Sequence, residues 1–544
     1  MSTYWLSVVA ALPLICYGHQ VQAPVQGTLL NENQATARTV TGTVVNAITG
    51  EPLRHALVQL WAARSVTVLT GADGRFEAHN IPEGSVNFSV TKPGFFDSRA
   101  MPGADGSQPN QAYPVTSGKN DFRLTLFPAG RIVGRVTDRD GEPVEQTQLQ
   151  VLTAQINQGH KQWQLQSNAS TDEDGSYRID DLLPGRYIVF AAGHALPGPS
   201  WNAPLEVSAP AYYSDASELT SAQTIELQPG QEFRADLRLR AQRGFRVAGA
   251  IGGYPAAPNG GLSIALENST GQQVLSQGVD LDPARGRFVL KAVPSGTWTV
   301  ALSAATPQGR NYEARQEISV NGADIPNLQI LLHPAASIPV TVNHAAATQG
   351  EAPQQQPQFN PGINAMLFSA DPFHPEQYGM TTHNEPASLS FDNVSTGKYR
   401  LSAQSIGNEC VESAWYGNVD LLRDYLVVGS DGEAQPLTIN LSNDCATLSA
   451  KIASDEHRTS GSLVVVRSSS LAEPTALSFA MQDTAPELQL TLAPGSYQVY
   501  AFNSLDGLEY ANPEVLGGYP SQSVNLAAGQ KAEVAVKLSQ RSRN

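Results

Sequence analysis

Residues Ala72–Val90 read ADGRFEAHNIPEGSVNFSV, and four later stretches repeat the same grammar. They are EDGSYRIDDLLPGRYIVF (Glu173–Phe190), RGRFVLKAVPSGTWTVAL (Arg285–Leu302), ASLSFDNVSTGKYRLSA (Ala387–Ala403) and PELQLTLAPGSYQVYAF (Pro486–Phe502). Aligning them superposes Gly84, Gly185, Gly296, Gly397 and Gly495, at spacings of 101, 111, 101 and 98 residues. Self-similarity at a nearly fixed period marks a repeated structural unit. In each copy an alternating apolar/polar run predicts a half-buried strand, a glycine turn follows, and a second alternating run predicts the next strand. In each copy the turn glycine can take φ > 0, turning the chain into the next strand.

Working outward, each copy also opens and closes in a recognisable way. Openings include VTGTVVNAITGEPLRHALVQLW from Val40 and IVGRVTDRDGEPVEQTQLQVL from Ile132; closings include GKNDFRLTL from Gly118 and GQKAEVAVKL from Gly529. Short strands separated by turn signals, with no long amphipathic helix, predict an all-β fold: a tandem array of five antiparallel, Ig-like or prealbumin-like β-sandwiches. The boundaries expected are 39–128, 129–241, 242–334, 335–444 and 445–540. Connections as short as Leu126–Arg131 predict sandwiches joined end to end as a semi-rigid rod.

Composition agrees with this organisation. The 544 residues exceed one hydrophobic core. Gly (46) and Pro (36) supply the turns, and charged residues are only 15% of the chain. Lys+Arg number 34 against 50 Asp+Glu, a net charge of −16 without a long basic run, which argues against nucleic-acid binding. Residues 1–23, with an apolar run from Leu6 to Tyr17, are expected to be a signal peptide, cleaved after Ala23 or after Gly18, and residues 24–38 a linker. A buried N-terminal strand or a misassigned start is the alternative. No later run approaches the 18 apolar residues of a spanning helix.

The first copy carries Gly42-x-Val44, Gly50-Glu51-Pro52-Leu53, Ala56-x-Val58, Ala72-Asp73-Gly74-x-Phe76, Ile81-Pro82-x-Gly84 and Lys92-Pro93-Gly94-Phe95. The second carries Gly134-x-Val136, Asp140-Gly141-Glu142-Pro143-Val144, Asp172-x-Asp174-Gly175-x-Tyr177 and Leu183-Pro184-Gly185-x-Tyr187. These segments resemble the carboxypeptidase regulatory-like domain, a transthyretin-like β-sandwich grouped with carbohydrate-binding-like folds, as found in secreted multi-repeat bacterial proteins. Copies three to five depart from the pattern, losing the Asp-Gly and the opening Gly-x-Pro turn. The resemblance implies a carbohydrate or cell-envelope ligand; because the family domain is an accessory one, it does not imply peptidase activity.

No catalytic constellation accompanies it. None of the ten histidines has Glu three positions later, as a His-x-x-Glu zinc site needs. His374-Pro375-Glu376 and His383-Asn384-Glu385 have the wrong spacing and read as loops. There is no His-Glu-x-x-His, Gly-x-Ser-x-Gly or phosphate-binding loop, and Asp172-Glu173-Asp174-Gly175 reads as a hairpin turn rather than a calcium loop. No metal, cofactor or enzymatic activity is expected. Of the three cysteines, Cys410 and Cys445 lie after the leader and are expected to form a disulfide in an exported chain, two reduced buried thiols being the alternative.

Aromatic clusters are the remaining candidates for ligand contact: Trp201, Tyr212 and Tyr213 beside Asp215, and Trp415 with Tyr416 beside Asn418; Tyr510-Ala511-Asn512 is similar in composition. Rings covering the open ends of their sandwiches are the simpler reading; stacking on a sugar is the other. The leading expectation is a secreted or periplasmic, non-enzymatic binding or structural protein. A protein–protein scaffold using exposed strand edges is the second, and an accessory of an extracellular hydrolase the third.

Overall fold

The computed structural model describes residues 37–540 apart from 63–64, 98–112, 117–119, 194, 197–205, 255–260, 276–277, 308, 346–361, 385–386, 454–460, 469–475 and 482–486. The leader and most of the linker, residues 1–36, lie outside the described residues, as does Trp201.

The first sandwich shows how the sequence motifs become architecture. Its strands are β1 (Ala37–Asn46), β2 (Leu57–Trp61), β3 (Ser65–Leu69), β4 (Arg75–Pro82), β5 (Gly84–Thr91), β6 (Phe95–Asp97), β7 (Tyr113–Val115) and β8 (Asp121–Pro128). One sheet has the order β4-β1-β8-β6 and the other β3-β2-β5-β7. Between them lie Val40, Val44, Val58, Leu60, Phe76, Ile81, Val86 and Leu126, all buried. The inward residues alternate along β4 (Phe76, Ala78) and β5 (Val86, Phe88, Val90), which is the period-two pattern read from sequence.

Two motif fragments that look independent in sequence are in contact. Gly74, at φ +71°, sits where a Cβ would come within 2.7 Å of Pro52 Cβ and 2.8 Å of Val44 O. The Asp-Gly hairpin therefore packs on the Gly-x-Pro turn, and the later copies lose both together. Beside it, buried Thr70 uses its hydroxyl twice: it accepts from Ala56 N (2.8 Å) and donates to Leu53 O (2.6 Å). Thr171 does the same in the second copy, accepting from Thr147 N (2.9 Å) and donating to Val144 O (2.6 Å).

The turn glycine takes positive φ in three of the five copies. Gly84, Gly296 and Gly495 have φ of 137°, 144° and 157°, whereas Gly185 and Gly397 are not among the positive-φ residues. Left-handed backbone falls four residues earlier, at Asn80 (60°), Asp181 (56°), Ala292 (58°) and Asn393 (54°). There the ladder to the sandwich's first strand shifts register, so these residues form β-bulges. The last copy has Thr491 at this place and an unbroken ladder from Ala446↔Leu492 to Lys451↔Glu487. Past the glycine, an aromatic closes the turn. Tyr187, Tyr399 and Tyr497 hydroxyls donate to the carbonyls of Leu183 (2.7 Å), Ser395 (2.8 Å) and Ala493 (2.6 Å), and Trp298 Nε1 to Pro294 (2.8 Å).

Further apolar cores follow along the chain, around Val136, Val189 and Leu237, Val247, Phe288 and Ile330, Ile338, Phe391 and Ile439, and Leu448, Val499 and Val536. The units are less separate than the expected boundaries. Glu206–Ser208 pairs with the strand Ala241–Gly252, so an excursion of the second segment joins the third segment's sheet, and Val207 enters its core. Nor is the array the end-to-end rod that short connections suggest. The hairpin Gln148–Asn157/His160–Ser170 of the second segment folds back onto the fourth and fifth. Trp163 N donates to Pro372 O (2.6 Å), and Ala511 N to Gly159 O (3.1 Å).

Candidate interaction site

β3 is the edge of its sheet, and among the described residues no strand pairs its outer side. Its sequence, Ser-Val-Thr-Val-Leu, has no charge and no proline. Val66 and Val68 lean on the core, while Ser65, Thr67 and Leu69 are exposed. Register fixes which backbone groups are open. Thr70 N donates to Ala56 O, so in the antiparallel alternation Val68 and Val66 direct their amides and carbonyls to β2. Those of Ser65, Thr67 and Leu69 point away from the sheet. On the outer face Leu69 lies opposite Leu57, and Ser65 opposite Trp61. Leu69 is 61% and Trp61 42% exposed, which gives the open edge an apolar rim. Edge strands of this kind usually carry a Lys, a Pro or a bulge that blocks pairing; β3 has none of these.

The counterpart of β3 in the second segment is His160–Ser170, the edge of the sheet that continues through Gln148–Asn157 and Gly185–Ala191. The hairpin-tip end of this edge is occupied by the chain itself. Besides the Trp163–Pro372 bond, Gln162 Nε2 donates to Ser369 O (3.4 Å), and the hairpin tip at Gly159 seats against Tyr510 and Ala511. Ile156 packs on the second apolar cluster of the fifth segment, with Leu508, Tyr510 and Leu516.

The loop that receives Trp163 is also held electrostatically. Asp371 Oδ2 lies 2.9 Å from His374 Nδ1, and Arg315 Nη2 lies 2.6 Å from Glu267 Oε2 and 2.9 Å from His374 Nε2. The hydrogen bond to Asp371 and the Glu267 carboxylate 3.6 Å away push His374 up to about 9, against the opposing effects of burial and Arg315. Asp371 is held low, chiefly by His374; Glu267 is also held low, because His374 and Arg315 outweigh its burial.

The aromatic candidates are not gathered into one surface. Tyr212, a ligand contact on the sequence reading, is 2% exposed: its ring packs on Phe190 at 4.9 Å and its hydroxyl donates to Gln272 Oε1 (2.7 Å) across the second–third junction. Burial removes it as a stacking platform. Tyr213 is half-buried, edge-on to Phe233 at 6.0 Å. Tyr416 is half-buried and its hydroxyl accepts from Gln435 N (3.2 Å), while Trp415 remains 39% exposed. Tyr510 is buried, 3.1 Å from Ser478 Oγ. Cys410 and Cys445 are brought together at an S–S distance of 2.18 Å, with Cα atoms 5.8 Å apart. Asp172 spends its carboxylate on its own turn, accepting from Asp174 N (3.0 Å) and Ser176 N (2.8 Å). His383 meets Ser390 and Asp392. Among the described residues no group of three or more His, Cys, Asp and Glu is placed to hold a metal ion, and no helix is long and apolar enough to cross a membrane.

With the fold in place, the class is an all-β protein of successive sandwiches. Residues 39–113 and 131–240 match the carboxypeptidase regulatory-like domain. No curated protein matches the chain. Similar solved structures include the TIE protein of Bacillus anthracis, at 13% identity and TM-score 0.17, covering 54% of this chain and 51% of that one. The chain thus spans about half the length of that protein. The minor pilin of Streptococcus agalactiae is similar at 12% identity and TM-score 0.21, covering 38% of this chain and 96% of the pilin. The major pilin subunit of Bacillus cereus is similar at 11% identity and TM-score 0.15, covering 54% and 99%.

Proposed function

We propose that the protein is an exported, non-enzymatic interaction scaffold whose first sandwich takes up an extended segment of a partner protein along β3. The observation that carries this reading is the neutral, unblocked edge of β3, with outward amides and carbonyls at Ser65, Thr67 and Leu69 beside exposed Leu69 and Trp61. Strand addition draws affinity from main-chain bonds and specificity from the alternate side-chain positions. Export is supported by the apolar leader and by the Cys410–Cys445 pair, since disulfides persist in oxidising compartments. Carbohydrate binding is the weaker reading, because burial of Tyr212 and partial burial of Tyr213 and Tyr416 dismantle the aromatic platform.

The test is cross-linking and co-purification of the full chain from its native envelope fraction, beside Thr67→Pro. That substitution removes an outward amide while leaving the β2 ladder its donors. Loss of one specific partner, with folding unchanged, supports the reading. Equal capture by both chains contradicts it, and retention on a polysaccharide panel without any protein partner favours the carbohydrate alternative.

A further inference from the structure

One topological feature recurs from the first sandwich to the last: the strand that opens the unit and the strand that closes it are parallel neighbours. Thr41–Asn46 runs beside Asp121–Leu126. Arg131–Val133 and Val136–Thr137 run beside Glu232–Arg234 and Leu237–Arg238. Val247–Gly252 lies along Ile325–Leu331, Val340–Asn343 along Leu437–Asn440, and Thr447–Ala453 along Lys531–Lys537. The closing strand of one unit then leads almost directly into the opening strand of the next. Only Ala129 separates Pro128 from Gly130, and only Leu239 and Arg240 separate Arg238 from Ala241.

The mechanical consequence follows from direction alone. In a parallel pair the chain enters at one end of the ladder and leaves at the other. Tension along the chain then slides the two strands past each other and loads their hydrogen bonds together. In an antiparallel pair of terminal strands, entry and exit share an end, and the bonds would open one at a time. Repeating the parallel arrangement in series, with very short connections, puts every unit under the same shearing load.

The geometry points to a tension-bearing role: the array transmits force from strand to strand, with each opening–closing ladder acting as a clamp. The disulfide fits this path. Cys445 lies in the connection between the fourth and fifth units, and Cys410 heads the strand that pairs with the closing strand, Cys410 opposite Ser442. Residues 411–444, including the closing strand Leu437–Ser442, lie inside the covalent loop and are kept from extending. The side contacts that fold the array back, such as Trp163 N to Pro372 O and Ala511 N to Gly159 O, have to open before the units are loaded in series.

Single-molecule pulling on the full chain tests this with two pairs of handles on exposed residues. Arg240→Cys with Leu331→Cys loads the Val247–Gly252/Ile325–Leu331 ladder along its strands. Arg240→Cys with Asn321→Cys pulls the closing strand away from its near end. At one loading rate the first pair is expected to rupture at the higher force; equal forces, or a higher force for the second pair, overturn the clamp. Stretched end to end, the fourth unit is expected to gain roughly 120 Å of extension on reduction, from a separation of 35 residues. An unchanged extension contradicts the disulfide's place in the load path.

Discussion

The edge strands β3 and His160–Ser170 occupy the same place in successive sandwiches, yet β3 is open along its length while the other is covered near its hairpin tip, at Gln162 and Trp163. The covered strand is the longer and more polar, with Lys161 and a run of glutamines, and its tip reaches the fifth segment. The open strand is short, neutral and apolar-rimmed. Within one chain an edge can be met from inside or left for something outside. The hairpin built on the eleven-residue strand reaches the later segments, whereas β3 has five residues.

That difference can be broken or sharpened by substitutions, beginning with the largest expected effect. Reducing Cys410–Cys445, or replacing both with Ser, frees a 35-residue loop and is expected to cost the fourth unit about 3–4 kcal/mol, read by denaturant titration. The surface that receives Pro372's partner should loosen, while β3 is unaffected. Gly159→Val acts on the covered edge directly. At φ +81°, with Ala511 N only 2.6 Å from where a Cβ would stand, it is expected to weaken hairpin docking by about 2–4 kcal/mol. Small-angle scattering should then show a larger radius of gyration, and the second edge would come to resemble the first.

A pH titration probes the same joint more gently. His374 is raised above its unfolded value of 6.5 to about 9. Its contribution is therefore fully present below about pH 6.5 and is lost as pH rises through about 9. We expect about 1–2 kcal/mol of weakening across that window, allowing for solvent screening, and no such dependence in His374→Gln. Smallest in stability is Thr67→Lys on the open edge: within about 0.5 kcal/mol of wild type by thermal melting, but with partner capture abolished by a charge placed at the pairing edge.

Much of the fold was legible because the repeat encodes local chemistry. The inward alternation of Phe76 and Ala78, and the paired loss of Asp-Gly and Gly-x-Pro, are short-range features with visible signatures. The aromatic two residues after the turn glycine was visible too, as Gly-Lys-Tyr399 or Gly-Ser-Tyr497, but its role as a turn-closing donor was not. The bulges were hidden differently. Asn80 and Asn393 suit left-handed backbone, yet Ala292 adopts it with no residue preference to announce it. Thr70 and Thr171 had a signal, a threonine four residues before the hairpin glycine, that alternation alone does not read. Fold-back was illegible because Trp163 and Pro372 are more than two hundred positions apart. The candidate edge was likewise readable as a strand but not as an edge, since that depends on which strands flank it.

Residue-resolved hydrogen exchange on the intact chain separates the open edge from the covered one. Rapid exchange is expected at the outward amides of Ser65, Thr67 and Leu69, alternating with protected Val66 and Val68, while the Trp163 and Ala511 amides are protected. Protection at Thr67 equal to that at Trp163, or rapid exchange at both, would contradict the contrast between the two edges.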